Sequence, residues 1–145
     1  MKLISASFQN GQMIPDKYGC NGENISPELS WSEFPADTKS FMLVCHDPDS
    51  PSGNFIHWIV ANIPPATIKI EEGAMMVNGA ANLKNDFGKN EYGGPCPGTG
   101  VHRYIFTIYA LDADKIDDIA KENYLEKIKP FILDRAEIMG RYQKK

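Results

Sequence analysis

The chain has 145 residues, 42% hydrophobic and 23% charged, with a formal net charge of −4, enough for one domain that buries a core without staples. The negative total argues mildly against nucleic-acid binding, and no apolar run reaches the roughly 18 residues of a membrane helix. The first ten residues lack a signal-type apolar region, so the sequence reads as cytoplasmic, and its three cysteines, Cys20, Cys45 and Cys96, lack C-x-x-C spacing and suggest neither a disulfide framework nor a zinc site.

Along the chain the hydrophobic period is mostly two. Lys2 to Phe8 reads as a first strand closed by Asn10-Gly11, a strong hairpin-turn pair. Residues 15 to 35 read as loop with a short strand at Leu29 to Ser32. Ser40 to His46 is apolar on both faces, the pattern of a covered central strand, and it delivers Asp47 to its end. The turn Asp47-Pro48-Asp49-Ser50-Pro51 is stiffened by two prolines, and either X-Pro bond has access to the cis form. In the next strand, Phe55 to Ile63, strict alternation puts Phe55, His57, Ile59, Ala61 and Ile63 on one face. Pro64-Pro65 ends that strand, and Ile68 to Ile70 begins another.

Residues 79 to 100 form a connection of a length that is usually functional rather than filler. It ends in Gly93-Gly94-Pro95-Cys96-Pro97-Gly98-Thr99-Gly100 and runs into a strand, Val101 to Leu111, with His102, Tyr104, Phe106, Ile108 and Ala110 on one face. Beyond it, Asp114 to Lys121 and Asn123 to Ile128 carry helical spacing, with Asp114 and Asn123 as N-caps. Pro130 breaks the second helix, and Phe131 to Met139 resumes as helix. Taken together these elements describe a single mainly β domain over 1–145, a sandwich of antiparallel sheets with a few peripheral C-terminal helices.

Two stiff turns thus each lead into a histidine-bearing strand. If they meet, a histidine N–H, the Tyr104 hydroxyl and the backbone N–H groups of the glycine-rich loop supply donors for phosphate oxygens, and Asp47 is suited to orienting an imidazole. Each residue also has a plainer reading. His57 alone is a core histidine bonded to a carbonyl, and Tyr104 is a packed aromatic. Asp49 bonds its own turn backbone, while Arg103 points away from His102 and braces a loop through Asp49 or Asp86.

The residues resemble a known family. Asp47-Pro48-Asp49-Ser50-Pro51 with Phe55-x-His57-Trp58, and Tyr92-Gly93-Gly94-Pro95-Cys96-Pro97-x-x-Gly100-x-His102-Arg103-Tyr104, are similar to the two signatures of the phosphatidylethanolamine-binding proteins. Gly22-x-Asn24-x-Ser26-Pro27-x-Leu29-x-Trp31 is similar to bacterial members, the Raf kinase inhibitor-like proteins. The resemblance implies a sandwich of two antiparallel sheets with an anion-accepting cavity at one end, walled by Asp47, His57, His102 and Tyr104 and rimmed by Pro95 and Cys96. It also implies a phosphate-like anion or phosphorylated head group as ligand, no cofactor, and inhibition of a protein kinase or protease as a role.

Other function classes use the same residues. Cys96, His102 and Asp47 would imitate a hydrolase nucleophile, base and orienter, and Asp47, His57 and His102 would imitate a metal site. The cysteine lies between two prolines rather than at a helix N-terminus, and the histidines lack the helical i, i+4 spacing of common zinc motifs, so the sequence favours binding over catalysis. An exposed edge strand would support a homodimer, though nothing in the sequence requires one.

Overall fold

A computed structural model describes residues 1–144. Three short strands form one antiparallel sheet in the order β1 (Lys2–Ile4), β2 (Leu29–Ser32), β5 (Lys69–Ile70). The other sheet is five-stranded, in the order β6 (Ala81–Asn82), β4 (Phe55–Ile63), β3 (Ser40–Asp47), β7 (Val101–Leu111), β8 (Ile132–Gln143). Among the described residues a single α-helix, α1 (Tyr124–Ile128), follows β7.

The two-sided apolar pattern of β3 has a direct cause. One face of the larger sheet packs Leu43, Cys45, Phe106 and Ile108 against Leu3, Leu29, Trp31 and Ile70 of the smaller sheet. The opposite face packs Met42, Val44, Ile59 and Tyr109 against Ile116, Tyr124 and Ile128 of the C-terminal segment. Full burial of each such side chain is worth roughly 1.5–3 kcal/mol, so the central strand is held from both sides. No helix among the described residues is long and apolar enough to cross a membrane.

Several expectations from sequence fail, each for a physical reason. Phe131 to Met139 does not resume as helix: Phe131 closes a 3-10 turn, and Ile132 to Met139 is the first part of β8, which pairs antiparallel along the whole of β7. Ala136, Ile138, Gly140 and Tyr142 turn toward the core at period two, and Pro130 sits in a short 3-10 turn before the strand. The segment Asp114 to Lys121 is irregular: Asp118 adopts a left-handed φ of 57°, and the Asn62 side chain both donates to the Ile116 carbonyl and accepts from its N–H. A side chain thus takes the bonds a helix would have made. Asn123 does precede α1, but its Oδ1 accepts the Ala120 N–H rather than capping the helix. The N-terminal strand also ends early, at Ile4, after which residues 11 to 14 bond along β8 through Gly11 N–H to Met139 O and Ile14 N–H to Arg141 O.

Strict alternation along β4 also breaks. The register with β3 shifts between Cys45 and His46 and again between Phe41 and Leu43. Ile56 and Ile59 therefore face the C-terminal segment, while Trp58, Val60 and Ile63 face the smaller sheet. A bulge re-aims side chains in this way, and here it turns His57 toward Tyr104, with ring centroids 5.1 Å apart.

Candidate functional site

At the end of the larger sheet where β3 finishes and β4 and β7 begin, Asp47, His57, His102 and Tyr104 line a cavity of about 200 Å³ together with Cys96 and Pro97. The rest of the wall comes from Ser50, Pro51, Phe55, Phe87 and Gly98. All four polar groups are buried: Asp47 is 3% exposed, His57 4%, His102 9% and Tyr104 0%. Pro95 is buried beneath the rim and is not on the wall; its carbonyl accepts the Cys20 N–H, and Pro97 faces the cavity instead.

The first turn is organised by its own carboxylates. Asp47 Oδ1 accepts the Asp49 N–H at 2.8 Å, and Oδ2 accepts the Nδ1–H of His102 at 2.7 Å. Asp47 thereby fixes both the turn and the histidine tautomer. Every described peptide bond is trans, those to Pro48 and Pro51 included.

Asp49 bonds Arg103 rather than its own turn, accepting from its N–H, Nε and NH2 group at 2.8–2.9 Å on the outer face of β7. This fork holds the Asp49 carboxyl at about 2, below its ordinary 3.8. The folded value is depressed, so the pair supports the fold above the ordinary carboxylate range, and the contribution disappears as pH falls through about 2. Both side chains are partly exposed, so the contribution to stability is small. An Arg103→Gln change is expected to return the Asp49 midpoint toward 3.8 in a carboxyl-carbon NMR titration; an unchanged midpoint would contradict the pairing.

His57 has both of its plain and its site roles at once. Its Nδ1–H donates to the Gly93 carbonyl at 2.7 Å, while the Gly93 N–H donates back to the His57 carbonyl at 3.0 Å. Phe55, Phe87 and Tyr104 surround the ring edge-on or tilted. Burial lowers its affinity for a proton, so the neutral imidazole is favoured. His46 lies away from the cavity; its Nδ1 is buried without a partner, and burial likewise lowers its proton affinity.

Sequence reasoning missed Asn85. It is buried, and its Nδ2 donates to the His57 and Glu91 carbonyls at 3.1 and 2.7 Å while Oδ1 accepts the Phe87 and Lys89 N–H groups. It is the internal brace of the long connection; the Asn85-Asp86-x-Gly88 turn was its only trace in the sequence. Asp86 adds a second tie, accepting the Ile56 N–H and pairing with Lys121.

The larger correction concerns cysteine. Cys20 and Cys96, 76 residues apart, form a disulfide with Cα atoms 5.3 Å apart, and Cys45 is free and buried in the core. Spacing along the chain carries no sign of this because the rim loop and the segment around Cys20 meet only through packing. The Gly94 N–H donates to Asn24 Oδ1 at 2.7 Å and the Cys20 N–H to Pro95 O at 3.0 Å, so the bridge closes a contact that the backbone already makes. On the far side of Phe87 and Cys96 lies a second cleft of about 300 Å³, reaching Asn24, Lys89 and Glu91.

A sequence model of the phosphatidylethanolamine-binding protein family matches residues 4–143. The chain belongs to that family. Among its relatives are a UPF0098 protein of Methanothermobacter thermautotrophicus, 41% identical over 150 residues and covering 99% of both chains, and the UPF0098 protein YbhB of Escherichia coli, 43% identical over 129 residues, or 81% of this chain and 82% of that one. The crystal structure of a phosphatidylethanolamine-binding protein homolog, CT736 of Chlamydia trachomatis, superposes with a TM-score of 0.92 at 41% identity over 99% of this chain and 97% of that one. E. coli YbcL, described as a member of the mammalian PEBP family, gives the same TM-score at 30% identity over 99% and 98%. The two signatures of this phosphatidylethanolamine-binding protein family member are the segments that supply Asp47, His57, Cys96, His102 and Tyr104 to the cavity wall.

Proposed function

We propose that the protein is a non-catalytic binding protein whose cavity at the ends of β3, β4 and β7 receives a phosphate-like anion or the phosphoryl group of a small molecule. The observation that carries this reading is Tyr104: the residue lines the cavity, and its buried hydroxyl makes no hydrogen bond of ordinary geometry, with only the Asp47 carboxylate and the Cys96 backbone close by. An unpaired buried hydroxyl costs about 1–3 kcal/mol, and a ligand oxygen would offset that cost. Burial, with the Asp47 carboxylate nearby, raises the phenol well above its ordinary value, so Tyr104 is a donor at every physiological pH.

The cysteine version of the hydrolase alternative loses its nucleophile while the disulfide is intact, because Cys96 then holds no thiolate. On this reading, control of a partner kinase or protease works through the rim loop and an acidic or phosphorylated partner residue in the same cavity. It needs no catalytic step.

Titration with phosphoethanolamine at pH 6 is expected to shift the NMR signals of His57, His102, Tyr104 and Gly98. Tyr104→Phe is expected to weaken that binding at least tenfold, the loss of about 1.4 kcal/mol or more, while leaving thermal stability equal or slightly raised. Perturbations confined to other surfaces, or wild-type affinity in Tyr104→Phe, would overturn the reading.

A further inference from the structure

The cavity that we read as an anion site carries no cation. Its wall holds no lysine or arginine, and its one formally charged side chain is Asp47. Arg103, on the neighbouring position of β7, is engaged by Asp49 on the outer face. Anion sites of this kind are usually built with arginine, lysine or several converging N–H groups.

The hydrogen-bonding state of the two imidazoles sharpens the problem. Each uses its Nδ1–H on an oxygen that can only accept, the Gly93 carbonyl for His57 and the Asp47 carboxylate for His102. In the neutral ring the remaining nitrogen, Nε2, is therefore an acceptor. With both rings neutral, two acceptor nitrogens and a carboxylate repel a bare phosphate dianion, and the side-chain donors left on the wall are the hydroxyls of Tyr104 and Ser50. The groups facing His57 are Tyr104, with Asp47 and Asp86 acting at longer range; those facing His102 are Asp47 and, outside, the Asp49–Arg103 pair. The burial that disfavours a charged His57 points the same way.

We infer that the cavity takes its anion together with a proton, and that its ligand is a phosphomonoester in the monoanionic, P–OH-bearing form, whose hydroxyl donates to a histidine Nε2 while an unprotonated oxygen accepts from Tyr104. The inference rests on the anion-site reading above and narrows it. A phosphodiester, such as the head group of an intact phospholipid, has the same single charge but no P–OH. The preferred source is therefore a free or protein-borne monoester rather than a lipid surface.

Three probes test this by calorimetry between pH 5.5 and 8.5: phosphoethanolamine, whose phosphoryl group is mainly a monoanion at pH 5.5 and becomes a dianion as pH rises, and its sulfate ester analogue and glycerophosphoethanolamine, whose anionic groups stay singly charged throughout. The monoester is expected to bind at least tenfold more tightly than the other two at pH 5.5. Its affinity should then fall toward tenfold per pH unit above its second ionisation near about 6. His102→Asn, which keeps a donor to Asp47 and removes Nε2, is expected to abolish most of the preference; its melting temperature reports separately on folding. His57→Asn provides the second variant, keeping a donor to Gly93. Equal affinities for the three probes, or a flat pH profile for the monoester, would overturn the proton requirement while leaving the anion site standing. Absence of binding by all three at every pH would remove both.

Discussion

A Cys20→Ser/Cys96→Ser protein is expected to be less stable than the oxidised wild type by about 3–4 kcal/mol. The bridge spans 76 residues, and constraining a loop of that size in the unfolded chain is worth about 4.5 kcal/mol in the chain-entropy account, with native disulfides commonly delivering 2–4. For a domain of this length the melting temperature should fall by roughly 10 °C. The effect should not stop at global stability. Cys96 lines both the cavity and the neighbouring cleft, and its bridge, the Gly94–Asn24 bond and the Cys20–Pro95 bond hold the rim against the N-terminal loop. Without it, residues 93–100 should exchange amide protons faster, and phosphoethanolamine should bind more weakly. Equilibrium denaturation of oxidised, reduced and doubly substituted protein measures the first effect. Identical midpoints for all three would show that the bridge does not form in solution.

Gly94→Ala is expected to be at least as damaging, although it adds one methyl group. A Cβ at this position would lie deep inside van der Waals contact with the Tyr18 carbonyl oxygen, 2.5 Å from Asn24 Oδ1 and 3.0 Å from Gly19 Cα. Two of these are backbone atoms, so no side chain can swing aside. The rim must separate from the N-terminal loop, which forfeits the Gly94–Asn24 bond. Overpacking costs about 1–3 kcal/mol and a lost partly buried hydrogen bond about another 1, giving a decrease of roughly 2–4 kcal/mol. The displaced rim also carries the Gly93 carbonyl that fixes His57, so anion affinity should drop with stability. Gly98→Ala is the control: an added Cβ there meets nothing within 4 Å, and unfolding should be unchanged. Equal unfolding midpoints for Gly94→Ala and Gly98→Ala would refute the packing argument.

The longest strands were legible because their side chains report local environment. Phe55–Ile63 and Val101–Leu111 have the bounds their composition and turn residues suggested, and β3 extends one residue further, to Asp47. Their patterns reflect burial on one face or both, which any single strand records by itself. The last strand was misread because Pro130 and the neighbouring charges suggested a broken helix, while its period-two set of Ala136, Ile138, Gly140 and Tyr142 contains small residues that carry little hydrophobic signal.

The residue types on the cavity wall followed from two stiff motifs, but their arrangement did not. Alternation along β4 assigned His57 to a face, and only the register shift against β3 turned it toward Tyr104. Asp47 as the orienter of His102 was readable as chemistry; that both Nδ1 atoms are engaged, leaving two acceptors and no cation, required the folded geometry. Sequence by itself determined the family, the mainly β architecture and the two loops that build the site, because those depend on local periodicity and on backbone stiffness. Tertiary structure alone decided the Cys20–Cys96 pairing, the brace at Asn85 and the donor–acceptor balance of the cavity. Each of these depends on atoms far apart in the chain, whose meeting is fixed by packing rather than by anything written beside them.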